Sequence, residues 1–450
     1  MIKKLFSLFF SIIIICLMFL PAVSASAYEV TEFEIHAKAG ALISLDTGEF
    51  LYENNIDQRL YPASITKIMT ATVMLESKKF NPDEKIAMTA SALKLVLGTG
   101  SVVSNLRAGE EITQKDLLYY LLMSSAGDCA YLVAEYYGGS VENFVKLMNK
   151  KAAELGLAST CYENPVGLHH ESNYTTVRDI YTLASYAMQN ELFMEVCSSD
   201  RYTVPATNFS GERTLTTTNR LQDKNTNYFY KYAHGIKTGF TDEAGRCLVS
   251  TASYDGYNYM CILMGCPNNA NKRYEFYDSA ELYRWAFNNF AFKKIADSDE
   301  PVCEMPIELS LETDYVSLYF KEPFVTILPK EADDSTIVVK TTLNEKSHKA
   351  PVKKGQVLGY AEIYYAEKLI GTVDLVAGET IKPSGILVFA HHAKSFFTST
   401  FMKVIIIAII LIVVIFIILC IRLNISKLKK RKVKYIPYNH KEKGENSHEK

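Results

Sequence analysis

A chain of 450 residues, nearly balanced at 48 Lys and Arg against 50 Asp and Glu for a net charge of −2, has room for about three domains. Its Lys and Arg crowd together only near the C-terminus, which excludes the broad basic surface that nucleic acid requires. Seven of nine cysteines lie outside the apolar ends, an odd set (Cys129, Cys161, Cys197, Cys247, Cys261, Cys266, Cys303) with no C-x-x-C pair and no His at ligand spacing; neither a disulfide framework nor a metal site is indicated.

The two ends stand apart in hydropathy. Lys3 and Lys4 precede an apolar run from about Leu5 to Leu20, then Pro21 and Ala25-Ser26-Ala27. That pattern predicts a secretory signal peptide over 1–27, cleaved after Ala27. At the other end every residue from Val404 to Ile421 is apolar, with Lys403 and Arg422 as brackets. Such a run spans a hydrocarbon core as a helix and is apolar on every face, which predicts a transmembrane segment over 401–421. Lys427, Lys429, Lys430, Arg431, Lys432 and Lys434 then make the tail 422–450 a cytoplasmic one. The expected product is a single-pass membrane protein with its body on the exported side.

Within the body, residues 28–295 read as one mixed α/β domain. Ala41 to Leu45 predicts a short strand closed by the turn Asp46-Thr47-Gly48. A helix is predicted from near Ser64 to about Glu76, started by Pro62. Thr113 and Asp116 cap a second helix over Leu117 to Met123. Three strands follow, His234 to Phe240, Cys247 to Ser253 and Tyr257 to Gly265, with turns at Asp242–Gly245 and Asp255-Gly256. A last helix is predicted around Ala280 to Phe287. After Asp297-Ser298-Asp299-Glu300-Pro301 the pattern alternates apolar and polar to about Ala390, which predicts a small all-β domain over 300–392.

The chemistry concentrates in three short stretches. In Ser64-Ile65-Thr66-Lys67 a hydroxyl and an amine lie three residues apart, on one helix face. A serine attacks only when a neighbour accepts its proton, and a first-turn backbone N–H can hold an oxyanion. The spacing alone is weak: it recurs at Ser91…Lys94, Ser426…Lys429 and Ser447…Lys450, and roughly two such matches arise by chance at this length. Lys237-Thr238-Gly239, the only K-T-G in the chain, offers a cation, a hydroxyl and a close approach to backbone. Ser124-Ser125-Ala126-Gly127-Asp128 offers a second hydroxyl to move a proton.

In this order the three resemble the motifs of the penicillin-recognising serine enzymes. Tyr61-Pro62-Ala63-Ser64-Ile65-Thr66-Lys67, Asn164-Pro165-Val166-Gly167-Leu168 and His234 to Gly245 resemble those of the D-alanyl-D-alanine carboxypeptidases, the low-molecular-mass penicillin-binding proteins. The resemblance implies an α/β (α+β) catalytic domain with an antiparallel sheet flanked by helices, a small all-β domain and, here, a C-terminal transmembrane helix. It implies a Ser64 acyl-enzyme, Lys67 as the base, Ser125 as proton relay, and Lys237 with Thr238 on the substrate carboxylate. Gly239 belongs to the same strand, and the N–H groups of Ser64 and Phe240 form the oxyanion hole. It implies peptidoglycan stem peptides as substrates, β-lactams as acylating inhibitors, and no cofactor or metal. The family's arginine beyond the meander is not assigned, because Arg273 does not match its spacing.

One departure bears on activity. Gly127 stands where the family carries an asparagine that contacts substrate and lysine, which leaves a space for water and predicts weakened catalysis. Two rival readings stay open at this point: a β-lactamase-like hydrolase using Glu163, and a catalytically lapsed wall-binding or scaffold protein.

Overall fold

The computed structural model describes residues 34–431. The segment read as a signal peptide and the tail beyond Arg431 lie outside the described residues. The chain forms two compact units, one of residues up to Ile295 with Phe324–Val338 and Ile363–Ile370, the other of the remainder.

The first unit is built on five antiparallel strands. In chain order they are β1 (Ala39–Ser44), β2 (Phe50–Asn54), and, after two small two-stranded ribbons of β3 (Lys85–Ala87) with β4 (Glu111–Thr113) and β5 (Arg201–Val204) with β6 (Arg213–Thr216), β7 (Ala233–Thr241), β8 (Gly245–Tyr254) and β9 (Tyr257–Cys266). Their spatial order is β2-β1-β9-β8-β7, with Ala41 opposite Ile262 and Val249 opposite Ile262 on its other side. The predicted meander is present: the first two strands run a residue or two longer at both ends, and the third starts at Tyr257 as predicted and ends one residue later.

Side chains alternate across the pleat, and both faces of this sheet are covered. Ala39, Ala41, Ile43, Val249, Met260, Ile262 and Met264 join one core with the helices. Leu42, Leu248, Tyr259, Cys261 and Leu263 join a second core with the helix Tyr274–Asn289. That helix is longer than predicted at both ends, and buried Phe276 in its added first turns continues the stripe of Leu282 and Tyr283.

Helix α1 (Lys67–Leu75) runs through the middle of the helical side, with Ile68, Met69, Ala71 and Met74 buried. The predicted start near Ser64 is a 3₁₀ turn, Ala63–Thr66, that leads into it. Helix α2 (Ala90–Leu95) is short, and α3 (Gln114–Leu122) opens on the predicted box, in which Thr113 Oγ1 accepts from Asp116 N at 3.0 Å. Helix α4 (Gly127–Gly138) follows after a four-residue break.

The second unit holds a six-stranded sheet made from segments between Pro301 and Ala377. Met305, Val316, Leu318, Leu358, Ala361 and Leu375 form its core. The β pattern was read to about Ala390, but the strands end at Ala377 and a helix occupies Gly385–Thr398. Ser384 caps that helix by accepting from Leu387 N, so it starts where a polar cap permits. A longer helix, Thr400–Arg431, follows. Its stretch Thr400–Ser426 is apolar and unburied over 27 residues, about 40 Å of helix, long enough to cross a membrane.

Candidate active site

Ser64 sits in the 3₁₀ turn that leads into α1, one helical turn before Lys67. Pro62 precedes the turn, and Ala63 takes a left-handed φ of 47°, a conformation that persists only when surroundings impose it. Lys67 is completely buried. Its Nζ donates to Ser64 Oγ at 3.0 Å and to the Val166 carbonyl at 2.8 Å. Burial first, and then the nearby Lys237 charge, hold its amine well below the ordinary lysine range, the direction that a proton acceptor for the hydroxyl requires.

The Val166 carbonyl is aimed by its own loop. Asn164 Oδ1 accepts from the backbone N–H groups of Val166, Gly167 and Leu168 at 3.2, 2.8 and 3.0 Å. Thr70 Oγ1 ties Pro165 O to α1 at 2.7 Å. At Gly167, with φ +89°, a Cβ would fall 1.8 Å from Ala63 O. The stretch Asn164–Leu168 is therefore a bracket pressed on the nucleophile turn.

From the other wall comes Lys237, on β7 and buried. Its Nζ donates to Ser125 Oγ and to the Thr238 carbonyl, both at 2.9 Å. Burial pushes this amine down to about 7. Ser125 lies in the break between α3 and α4 with φ +62°, which turns its hydroxyl inward. Thr238 Oγ1 meets Thr218 Oγ1 at 2.7 Å. Gly239 was expected to let substrate backbone approach; the close approach in the structure is to Pro62 O and Ser64 N, each 3.1 Å from where its Cβ would be.

Ser64, Ser125, Thr238, Gly239 and Phe240 are among the residues that line one cleft of about 870 Å³, while Lys67 and Lys237 are buried beneath its wall, bonded to Ser64 and Ser125. Phe240 is half-exposed there, with the Arg246 guanidinium 4.6 Å over its ring. Ser101 and Thr218, which the sequence reading does not single out, also line the cleft, as does Arg273, left unassigned there on its spacing. Arg273 is held by Glu275, its Nε donating to Oε1 at 2.6 Å. The rival serine–lysine pair Ser91 and Lys94 lies on α2, both residues exposed to solvent. Glu163 is exposed and outside the cleft lining, which removes the support for a class-specific deacylating glutamate. Among the described residues no group of His, Cys, Asp or Glu converges to hold a metal ion.

The known proteins that resemble this chain share that plan. Residues 24–268, just over half of its length, match the D-alanyl-D-alanine carboxypeptidase family, and 290–383 match the C-terminal domain of penicillin-binding protein 5. The chain belongs to the D-alanyl-D-alanine carboxypeptidase family. It is 29% identical to the D-alanyl-D-alanine carboxypeptidase DacF of Bacillus subtilis, over 84% of this chain and 94% of that one. Penicillin-binding protein 5 of Haemophilus influenzae is similar in structure, with a TM-score of 0.62 at 26% identity over 78% of this chain and 99% of that one. The Streptomyces K15 DD-transpeptidase covers 58% of this chain with its whole length, at 30% identity and a TM-score of 0.54. Membership makes the chain a serine peptidase of peptidoglycan metabolism, in a family that acts on peptidoglycan peptides and binds β-lactams.

Proposed function

We propose that this carboxypeptidase removes the terminal D-alanine of peptidoglycan pentapeptide stems through an acyl-enzyme on Ser64. The observation that carries the reading is the pairing of two buried lysines with two hydroxyls across one cleft, Lys67 with Ser64 at 3.0 Å and Lys237 with Ser125 at 2.9 Å. Neutral Lys67 takes the proton of Ser64 Oγ as that oxygen attacks the carbonyl of the penultimate D-alanine. Backbone N–H groups of Ser64 and Phe240 stabilise the oxyanion. The proton passes to the departing amine through Ser125, the C–N bond breaks and free D-alanine leaves. Water then attacks the ester, Lys67 again takes a proton, and Ser64 is regenerated. Until D-alanine departs, charged Lys237 and Thr238 hold its terminal carboxylate.

The same reading places the body on the exported side of the cell membrane, held by the helix Thr400–Ser426, with the basic residues after Arg422 in the cytoplasm. β-Lactams enter the same cleft and acylate the same serine. The deciding experiment is incubation with a fluorescent penicillin followed by peptide mapping, in wild type and in Ser64→Ala. Label on the Ser64 peptide that vanishes in the variant supports the reading. Label that persists in the variant, or maps to Ser91, overturns it, and a folded wild type that takes no label favours the scaffold reading.

A further inference from the structure

The family's asparagine is absent at Gly127, yet the space it leaves is not open. A Cβ on Gly127 would stand 2.2 Å from Ser101 Oγ, 3.1 Å from Ser101 Cβ and 3.2 Å from Val166 Cγ1. The Ser101 hydroxyl therefore occupies the volume into which a side chain at 127 would grow. It does so beside the residue whose carbonyl holds Lys67, and it lines the same cleft as Ser64 and Ser125.

Its position is built, not incidental. Gly127 N donates to Val102 O at 2.8 Å. Ser104 N and Ser104 Oγ donate to the Asp128 carboxylate at 3.0 and 2.7 Å, and Asp128 is wholly buried in the first turn of α4. These bonds clamp the 101–104 segment to the loop that carries Ser125. Gly98 and Gly100, with φ of 75° and 71°, turn the chain into that clamp. Among the described residues the Ser101 hydroxyl makes a single long contact, 3.4 Å to Val102 O. That long bond holds the hydroxyl's one proton only weakly, and both lone pairs remain for a ligand.

We propose that Ser101 is a substrate-contacting residue that replaces the missing side chain of position 127. Its hydroxyl hydrogen-bonds the amide on the acyl side of the scissile bond, in a peptide or a penicillin, and turns the carbonyl toward Ser64. The proposal rests on acylation at Ser64. It makes the two positions interdependent, because Ser101 reaches the cleft only while residue 127 has no side chain. An asparagine placed at 127 evicts the hydroxyl before it can act itself, so it helps only when residue 101 is small.

The test uses the full chain in detergent, as wild type, Ser101→Ala, Gly127→Asn and the double variant Ser101→Gly/Gly127→Asn, with Ser64→Ala as control. Penicillin acylation rates, kcat and KM for D-alanine release from a diacyl D-Ala-D-Ala peptide, and thermal midpoints are measured. Ser101→Ala is expected to slow acylation about five- to tenfold at an unchanged midpoint, the scale of one lost hydrogen bond. Gly127→Asn alone slows it about as much, and the double variant returns to within about threefold of wild type, a non-additivity expected of residues in contact. The rescue reports the steric conflict between the two side chains; the slower acylation of Ser101→Ala at an unchanged midpoint is what a merely structural role does not give. Ser101→Ala acylating at the wild-type rate, or Gly127→Asn outpacing wild type with Ser101 in place, overturns the proposal while the Ser64 reading stands. Label persisting in Ser64→Ala overturns both.

Discussion

Ser64 N lies 3.1 Å from the point where a Cβ on Gly239 would stand. Strand and nucleophile turn therefore touch backbone to backbone, and this contact sets the distance between the Ser64 amide and the strand that leads on to Phe240. The glycine is what lets the strand that carries Lys237 and Thr238 come that close.

Gly239→Ala tests the contact. Its methyl would meet Pro62 O, Ser64 N and Ala63 Cβ at 3.1 to 3.2 Å, a crowding that a shift of a few tenths of an ångström relieves. The fold survives and the oxyanion geometry does not. Acylation by penicillin is expected to fall about tenfold or more, the scale of a disturbed oxyanion donor, with a thermal midpoint within a few degrees of wild type. Wild-type acylation by this variant would show that the spacing is not critical.

Gly167→Ala should behave in the opposite way and damage the fold first. The residue has φ +89°, and a methyl there would fall 1.8 Å from the Ala63 carbonyl oxygen, a clash that no side-chain rotation removes. A cost of about 3 kcal/mol or more is expected, which corresponds to a midpoint lowered by roughly 6–12 °C for a unit of this size. Since the same shift moves the Val166 carbonyl from Lys67, acylation should also slow at temperatures where the protein remains folded. Calorimetry with penicillin labelling at 25 °C checks both.

How much of this was legible in the sequence follows from how local each feature is. The Ser64–Lys67 pair needs only one helical turn, and the cap at Thr113 only three residues, so both are visible locally, though it takes Pro62-Ala63 and the two downstream stretches to single out Ser64 from the other serine–lysine pairs. The strands of the meander announce themselves by apolar alternation between turn residues. Ser101 could not be read in the same way: its segment is held at the cleft by Ser104, clamped to Asp128 24 residues further along the chain, and nothing in its neighbours marks it. Arg273 was passed over because spacing along the chain does not report which residues line a cleft. The role of Asn164 was hidden too, since an asparagine before a proline reads simply as a turn. Gly127 is instructive, because the sequence shows a missing side chain but not which neighbour fills the space.

Topology gives a third expectation. The apolar helix Thr400–Ser426 is followed by basic residues, and an excess of Lys and Arg marks the cytoplasmic flank. Protease added to intact cells should release a fragment that contains Ser64 and ends near Ser399, and leave the span with its tail in the membrane fraction. Digestion of residues 435–450 from outside would reverse the proposed orientation.

The dependence on pH follows from two lysines with opposite requirements. Lys67 must be neutral to accept the serine proton, and burial together with Lys237 depresses its amine far below the ordinary range. It gains a proton only as the pH falls, so acylation declines on the acid side. Lys237 must instead be charged to hold a carboxylate, and burial pushes its amine down to about 7. Below that pH it is mostly protonated and above it mostly neutral. In the free enzyme, kcat/KM for a substrate with a free carboxylate should therefore fall as pH rises through about 7, approaching roughly tenfold per unit at the limit. A bound carboxylate favours the charged lysine, so the alkaline limb of kcat should lie higher than that of kcat/KM. A β-lactam whose carboxylate is esterified has no anion for Lys237 to hold; it should acylate more slowly and lose the alkaline limb. Profiles from pH 5 to 10 with the acid and its ester decide the matter. If kcat/KM for the free acid rises steadily from pH 6 to 9, Lys237 is not acting as the cation that holds the substrate.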